Sequence, residues 1–437
     1  MRDRLPGSLM MHKSLLSVLI LLSACTSGAS DKSDRGPDTG QDSGLGQELC
    51  EGPLDPSTTE AILDCDQDGM ADTEAIAQDQ SLDANADGIP DSCQLLEGLT
   101  FFGRNDYVSY QTGSLPIILV APHGGTLEPA EIPQREGASA PRDANTIELA
   151  EAISDAFYDS LGRRPHLITC HLHRYRLDCN RTLEVGAEDN AYAQQAWSEF
   201  HAFIDQAKAN ATTVFGQALV LDLHGMSRTT IEIGTLIRGS QWLESDTRLS
   251  NGGFATSSSV RHMATKSSSS FANLSRGAWS LGANLESAGY PAIPSPGNPD
   301  PGTDSDGDAL DYFRGGYNTV RHGSLNGGTV DALQIEHPYS IRENTQTRAD
   351  YAQALVASLT EFLADNSDLE MEAELGVRLE AVDNRLSETG NTGLLRVHRT
   401  GALEDDVEVR LEATGAAAMA NDFKWEEKHV LPSNQAT

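Results

Sequence analysis

Three well-separated stretches of this chain carry residues that bind metals or move protons. Pro122-His123-Gly124-Gly125-Thr126-Leu127-Glu128 follows one apolar run, and Leu221-Asp222-Leu223-His224-Gly225 closes a second. Two imidazoles and a carboxylate with a fourth position left open are the donor set of a catalytic zinc site. The spacing predicts zinc held by His123, Glu128 and His224, with the two glycines letting the turn bring His123 and Glu128 to one point. Asp222, two residues before His224, is placed to orient that imidazole. A third run ends in Gln334-Ile335-Glu336-His337, where Glu336 is expected to act as general base on an attacking water.

Between the first two stretches lies Arg174-Tyr175-Arg176-Leu177-Asp178-Cys179-Asn180-Arg181. Guanidinium forks bind carboxylates through two parallel hydrogen bonds. Three of them beside Asp178 and Asn180 predict a pocket for an acidic substrate. His166, His171 and His173 are weaker ligand candidates, because no matched carboxylate accompanies them.

The elements that must position these groups alternate. Residues 115–121 read as a buried strand, 167–170, 218–223 and 332–335 as further strands, and 144–161, 192–207 and 349–363 as helices. Apolar positions at helical spacing (Ile147, Ala150, Ile153, Phe157, Leu161; then Trp197, Phe200, Ile204) support the first two helices. Strands separated by helices predict an α/β domain whose mixed, largely parallel sheet is flanked by helices. The three stretches then lie at strand ends, where ligands collect in such sheets. Residues 250–275 and 291–308, rich in Ser, Gly, Pro and Asp, are expected to be long loops.

The 437 residues carry a formal net charge of -34, which disfavours nucleic acid and anionic membrane surfaces as partners. Arg2, Arg4 and Lys13 precede an apolar run, Leu15 to Leu22, too short to span a bilayer as a mature helix. That run leads into Leu22-Ser23-Ala24-Cys25, which resembles a bacterial lipobox and implies lipidation of Cys25. Met11 would serve equally as the start. The expected location is the cell envelope, lipid-anchored at the outer membrane or cell surface, or secreted. An oxidising compartment permits disulfides; Cys170 with Cys179 is one candidate pair, and two of Cys50, Cys65 and Cys93 are another.

The organisation predicted is a signal peptide over 1–24, a disordered linker over 25–60 and a calcium module over 61–95. A catalytic domain over 96–368 and an all-β segment over 369–437 follow. In the calcium module, Asp64, Asp66, Asp68 and Asp72, then Asp83, Asn85, Asp87 and Asp91, repeat the pattern D-x-[DN]-x-D-G-x-x-D. Alternate oxygens converge on Ca2+ while the glycine makes the turn. The two copies resemble thrombospondin type 3 or dockerin-like loops. In the last segment, Val397-His398-Arg399-Thr400-Gly401, Val407 to Leu411 and Asn421-Asp422-Phe423 resemble part of a Calx-β domain, in a copy that lacks strands.

Taken in order, Pro122 to Gly125 with Glu128, Arg142-Asp143 with Thr146 and Glu148-Leu149-Ala150, Asp178 to Arg181, Asp222-Leu223-His224, Phe313-Arg314-Gly315-Gly316-Tyr317 and Gln334-Ile335-Glu336 resemble the N-formylglutamate amidohydrolase family. That family shares a zinc carboxypeptidase-like fold with the poly-γ-glutamate hydrolases. The resemblance spans roughly residues 100–365. It implies zinc on His123, Glu128 and His224, water activation by Glu336 and carbonyl polarisation by Arg176. It also implies substrate binding by Asn180, Arg181 and Arg142. Cys179 stands where that family more usually has an apolar residue. The expected activity is zinc-dependent hydrolysis of an amide bond in a small acidic, glutamyl-type or peptide-like substrate. A zinc carboxypeptidase is the nearest alternative, and a non-catalytic, calcium-dependent surface adhesion protein is the alternative from another class.

Overall fold

The computed structural model of the chain describes residues 96–136 and 142–369, Met371, and five separate elements: strand Ser17–Leu21, helix Asp72–Gln78, and strands Gly376–Asp383, Leu394–Thr400 and Arg410–Thr414. The expected lipidation site, linker and calcium loops lie outside the described residues, apart from Asp72, which opens the helix Asp72–Gln78. Of the all-β tail, Gly376–Asp383 pairs with Leu394–Thr400 and with Leu96–Glu97, and Arg410–Thr414 pairs with Ser17–Leu21.

The centre of the molecule is an eight-stranded sheet. In chain order its strands are β1 (Thr100–Phe102), β2 (Val108–Gln111), β3 (Ile117–Ala121), β4 (His166–Cys170), β5 (Ala218–Met226), β6 (Ile231–Gly234), β7 (Ala292–Ile293) and β8 (Val330–Pro338). They lie side by side as β1-β2-β4-β3-β5-β8-β6-β7. The four central strands, β4, β3, β5 and β8, run parallel, while β1, β2 and the β8–β6 pair are antiparallel. The mixed, mostly parallel α/β architecture follows from the sequence pattern as expected.

Alternation along each central strand divides the core in two. Ile117, Leu119 and Ala121 of β3, with Leu219, Leu221 and Leu223 of β5, face one apolar cluster. Ile118 and Val120, with Ala218 and Val220, face the other. Both faces being covered, these strands read as continuous apolar runs. Helices α1 (Thr146–Leu161) and α4 (Thr345–Asn366) cover the first face, and α2 (Ala191–Phe215) the second. Glycines in the left-handed region end α1 and α2: Gly162 has φ 66 and Gly216 φ 71. Asn190 caps the start of α2 by accepting from the Ala193 N–H at 3.0 Å. Burial of roughly 25 cal/mol for each Å² of apolar surface makes these two faces the main source of stability.

Two expectations change. Residues 250–275 are not a long loop: they carry short helices at Arg261–Lys266 and Phe271–Arg276. Val260, Met263, Phe271, Ala272 and Leu274 from this region join the core. Its many serines hide the signal, because several act as caps or buried hydrogen-bonding groups, such as Ser259 Oγ donating to the Ala332 carbonyl at 2.6 Å. Cys170 and Cys179 are both buried free thiols, not a disulfide.

Candidate metal centre

Strands β3, β5 and β8 are parallel neighbours, so their C-terminal ends emerge together at one edge of the sheet. His123 follows β3 after Pro122. Asp222 and His224 lie on one face of β5, and His224 stands in register with Glu336 of β8. All four are buried.

The group that converges is His123, Asp143 and His224. Asp143 lies just before α1, where its backbone N–H donates to the His123 carbonyl at 3.0 Å. Its Oδ2 sits 3.1 Å from His224 Nδ1 and 3.4 Å from His123 Nδ1, and the two Nδ1 atoms are 3.1 Å apart. A tetrahedral ion with bonds of about 2.05 Å places its ligand atoms ~3.3 Å from one another. The three donors therefore already stand at the separations that such an ion requires.

The far side of each imidazole is held by a carboxylate. His123 Nε2 is 2.7 Å from Asp178 Oδ1. His224 Nε2 is 3.0 Å from Asp222 Oδ2 and 3.1 Å from Asn180 Nδ2. Asp222 Oδ2 is fully buried with no hydrogen-bond partner of good geometry. It is the acceptor that Nε2 needs once Nδ1 gives its lone pair to a cation and the ring proton resides on Nε2. The donor set and this orphaned oxygen both fit a metal ion.

Electrostatics agree with the geometry. Burial alone would raise the Asp143 pKa, but hydrogen bonds from His123 and His224 hold it far below the usual carboxylate range. Asp178 is likewise held down against its burial by His123, Arg174 and Arg181. Burial opposes charging of His224, yet Asp222 and Asp143 push its pKa well up. Glu336 goes the other way: burial raises it to about 7, with His224 lowering it and Asp143 raising it. Gln334 Nε2 donates to Glu336 Oε1 at 3.0 Å. A carboxylate poised near neutrality beside a candidate metal site has the property required of a general base.

Glu128 is not in this group. Its side chain is 52% exposed and pairs with Arg176 NH2 at 3.0 Å. The glycines of the His123 turn serve close approach and do not fold Glu128 inward. A Cβ on Gly125 would stand 2.2 Å from the His171 backbone carbon, and one on Gly124 would stand 2.7 Å from Ile147. Asp143, 20 residues from His123, has no spacing that marks it; its place in Arg142-Asp143 just before a helix is its one trace in the sequence.

The arginines divide. Arg174 bridges two site carboxylates, Nε to Asp178 Oδ2 at 3.1 Å and NH1 to Asp143 Oδ1 at 3.4 Å. Arg176 is engaged by Glu128 and the Ile132 carbonyl. Arg142 donates to the Gly124 carbonyl at 3.2 Å and Arg181 to the Asn180 carbonyl at 2.7 Å. Neither has an ion pair among the described residues. Asn180 is buried, with Oδ1 accepting from the Asn318 N–H at 2.9 Å and Nδ2 lying 3.1 Å from His224 Nε2. The Arg314-Gly315-Gly316-Tyr317 stretch lines a cavity of about 330 Å³ together with Leu236, Val320 and Leu325.

No protein-family profile and no curated protein matches the chain. Solved structures similar to it include N-formylglutamate amidohydrolase from Ralstonia eutropha JMP134, at 15% identity over 59% of this chain and 96% of that one, TM-score 0.35. A gene product from Agrobacterium tumefaciens is similar at 16% identity, over 59% of this chain and 94% of that one, TM-score 0.35. A zinc-free form of YndL is similar at 13% identity, over 58% of this chain and 89% of that one, TM-score 0.23. At these scores the likenesses carry no argument, and neither the calcium-loop nor the Calx-β resemblance gains support from them. What the chain itself presents is an α/β fold with a buried His-Asp-His group able to hold a metal ion.

Proposed function

We propose that this chain is an exported zinc-dependent hydrolase that cleaves an amide bond in an acidic, glutamyl-type or peptide-like substrate, in the manner of N-formylglutamate amidohydrolases. The observation that carries the reading is the near-tetrahedral separation of His123 Nδ1, His224 Nδ1 and Asp143 Oδ2. His123, Asp143 and His224 would hold the ion. Zinc bound there would supply a Lewis acid for the scissile carbonyl and acidify the attacking water.

The chain's own residues do the remaining work. Glu336, half ionised near pH 7, accepts the proton of the attacking water and returns it to the leaving nitrogen. Asp178 and Asp222 keep the two imidazoles aimed. Arg142 and Arg181, which form no close ion pair among the described residues, are the groups left to bind a carboxylate of the substrate. Glu128 and Arg176 form a pair at the rim. The lipobox-like Leu22 to Cys25 supports anchoring in the cell envelope, and the Asp-rich repeats between 64 and 91 support calcium binding there. An exported enzyme is far from the histidine breakdown that yields formylglutamate, which favours γ-glutamyl or peptide amides as substrates.

The test is metal analysis of the purified chain, paired with assays on N-formylglutamate, poly-γ-glutamate and short peptides with free or blocked C-termini. One bound zinc and hydrolysis lost on chelation support the reading. A chain that binds no transition metal and cleaves none of these substrates ends it. Cleavage only where the C-terminus is free would make the enzyme a carboxypeptidase.

A further inference from the structure

Behind the metal centre lies a short helix, α3 (Tyr317–His322), that is tied down at both ends. At its start, Asn318 is fully buried. Its Nδ2 donates to Asp222 Oδ1 at 3.0 Å and its backbone N–H to Asn180 Oδ1 at 2.9 Å. Asp222 and Asn180 are the two groups that meet His224 Nε2. One residue thus holds both partners of a candidate ligand.

At its end, His322 Nε2 lies 2.9 Å from Nδ1 of His201 on α2, with the rings stacked at 5.2 Å and 22°. His322 Nδ1 is 3.3 Å from Asp205 Oδ1, one turn along α2 from His201. Asp205 also meets Lys208 and Arg321. Both imidazoles are buried, and that of His201 also meets the rings of Trp197, Phe200 and Tyr317. Burial lowers both pKa values, that of His322 to about 4, so a directional hydrogen bond between neutral rings sets the spacing of α2 and α3. Two polar rings buried in aromatic surroundings cost more than an apolar contact would, and the proposed reaction does not use them.

We infer that the His201–His322 pair, anchored on Asp205, positions α3 so that Asn318 fixes Asp222 and Asn180 behind His224, and so sets the affinity of the metal centre. These four are positioning residues, and the inference rests on the reading of His123, Asp143 and His224 as the metal site.

Zinc affinity of the purified chain, measured by competition with a chromophoric chelator, tests it without any substrate. Asn318→Ala and His322→Ala should each weaken zinc about 10- to 100-fold, with an unchanged circular dichroism spectrum and an unchanged KM at saturating zinc. The double variant His201→Asn with His322→Gln places two amides where the ring nitrogens meet and should recover most of that loss. Folded Asn318→Ala or His322→Ala protein with wild-type affinity overturns the inference. So does a loss the amide pair fails to recover, which would mark the histidines as packing alone. Should His322→Ala not fold, Asn318→Ala decides. Wild-type chain that binds no zinc refutes the metal reading itself and this inference with it.

Discussion

Asp143 Oδ2 lies 3.1 Å from His224 Nδ1, although 81 residues separate the two in the chain. The same oxygen accepts the Gly225 N–H at 3.1 Å, so the carboxylate is fixed by backbone as well as by the imidazole. This makes Asp143, and not the rim residue Glu128, the carboxylate that stands with the two imidazoles.

Substituting these two carboxylates should therefore give opposite results. Asp143→Ala removes a ligand and should weaken metal binding by more than the ~100-fold typical for losing a residue that only orients one. Glu128→Ala removes a half-exposed ion pair, worth about 0–1 kcal/mol, and should leave metal affinity within a few-fold of wild type. Isothermal titration with zinc reads both; equal losses would return Glu128 to the ligand set.

Glu336 should dominate the pH profile. It must be ionised to accept a proton, so kcat/KM should fall as pH drops below about 7, or somewhat lower once a cation stands nearby. Glu336→Gln should reduce kcat about 10²- to 10⁴-fold while leaving zinc bound. A variant that keeps its activity would remove Glu336 from the reaction.

Stability should depend on pH in a way that metal binding alters. Asp143 and Asp178 have folded pKa values below their ordinary 3.8, so their contribution is present above pH ~4 and is lost as pH falls further. Glu336 is raised from 4.5 to about 7 and His224 is raised above 6.5. Their contribution is present in acid and is lost as pH rises, for Glu336 between 4.5 and about 7. Metal-free protein should thus be most stable in mild acid, and added zinc, which binds only the folded state, should raise Tm chiefly at neutral pH. Thermal scans from pH 3 to 9 with chelator or zinc check this; an identical rise at every pH would contradict it.

How much of this was legible in the sequence depends on what kind of signal each part leaves. The central strands were plain, because residues such as Ile117 to Ala121 are buried on both faces and read as unbroken apolar runs. His123, His224 and Glu336 were legible because each ends such a run. Asp143 was not, since it reaches the two imidazoles through a loop whose path depends on tertiary contacts. Arg342 supplies one of them, with its guanidinium donating to the Ala144 carbonyl and to the Met226 carbonyl. Short strands such as Ile231–Gly234, and the α3 helix with Asn318, carry too few residues for a periodic pattern. Arginine-rich composition at 174–181 suggests substrate binding, whereas Arg174 is spent on Asp143 and Asp178.

The same Arg342 gives the sharpest structural test. Its side chain passes so close to the strand end that a Cβ on Gly225 would stand 2.3 Å from Cζ. Gly225→Ala therefore cannot be accommodated without moving the guanidinium. That would break its bonds to the His337 and Met226 carbonyls at 3.2 and 3.1 Å. A small-to-large change of this kind costs about 1–3 kcal/mol, and here it also releases the segment bearing Asp143. We expect Gly225→Ala to lower the free energy of unfolding by that amount and to weaken zinc binding as well. Arg342→Ala should weaken zinc to a similar extent, and the double variant should lose little more than either alone, because both act through one contact. Additive losses in the double-mutant cycle would show that the glycine and the arginine act separately.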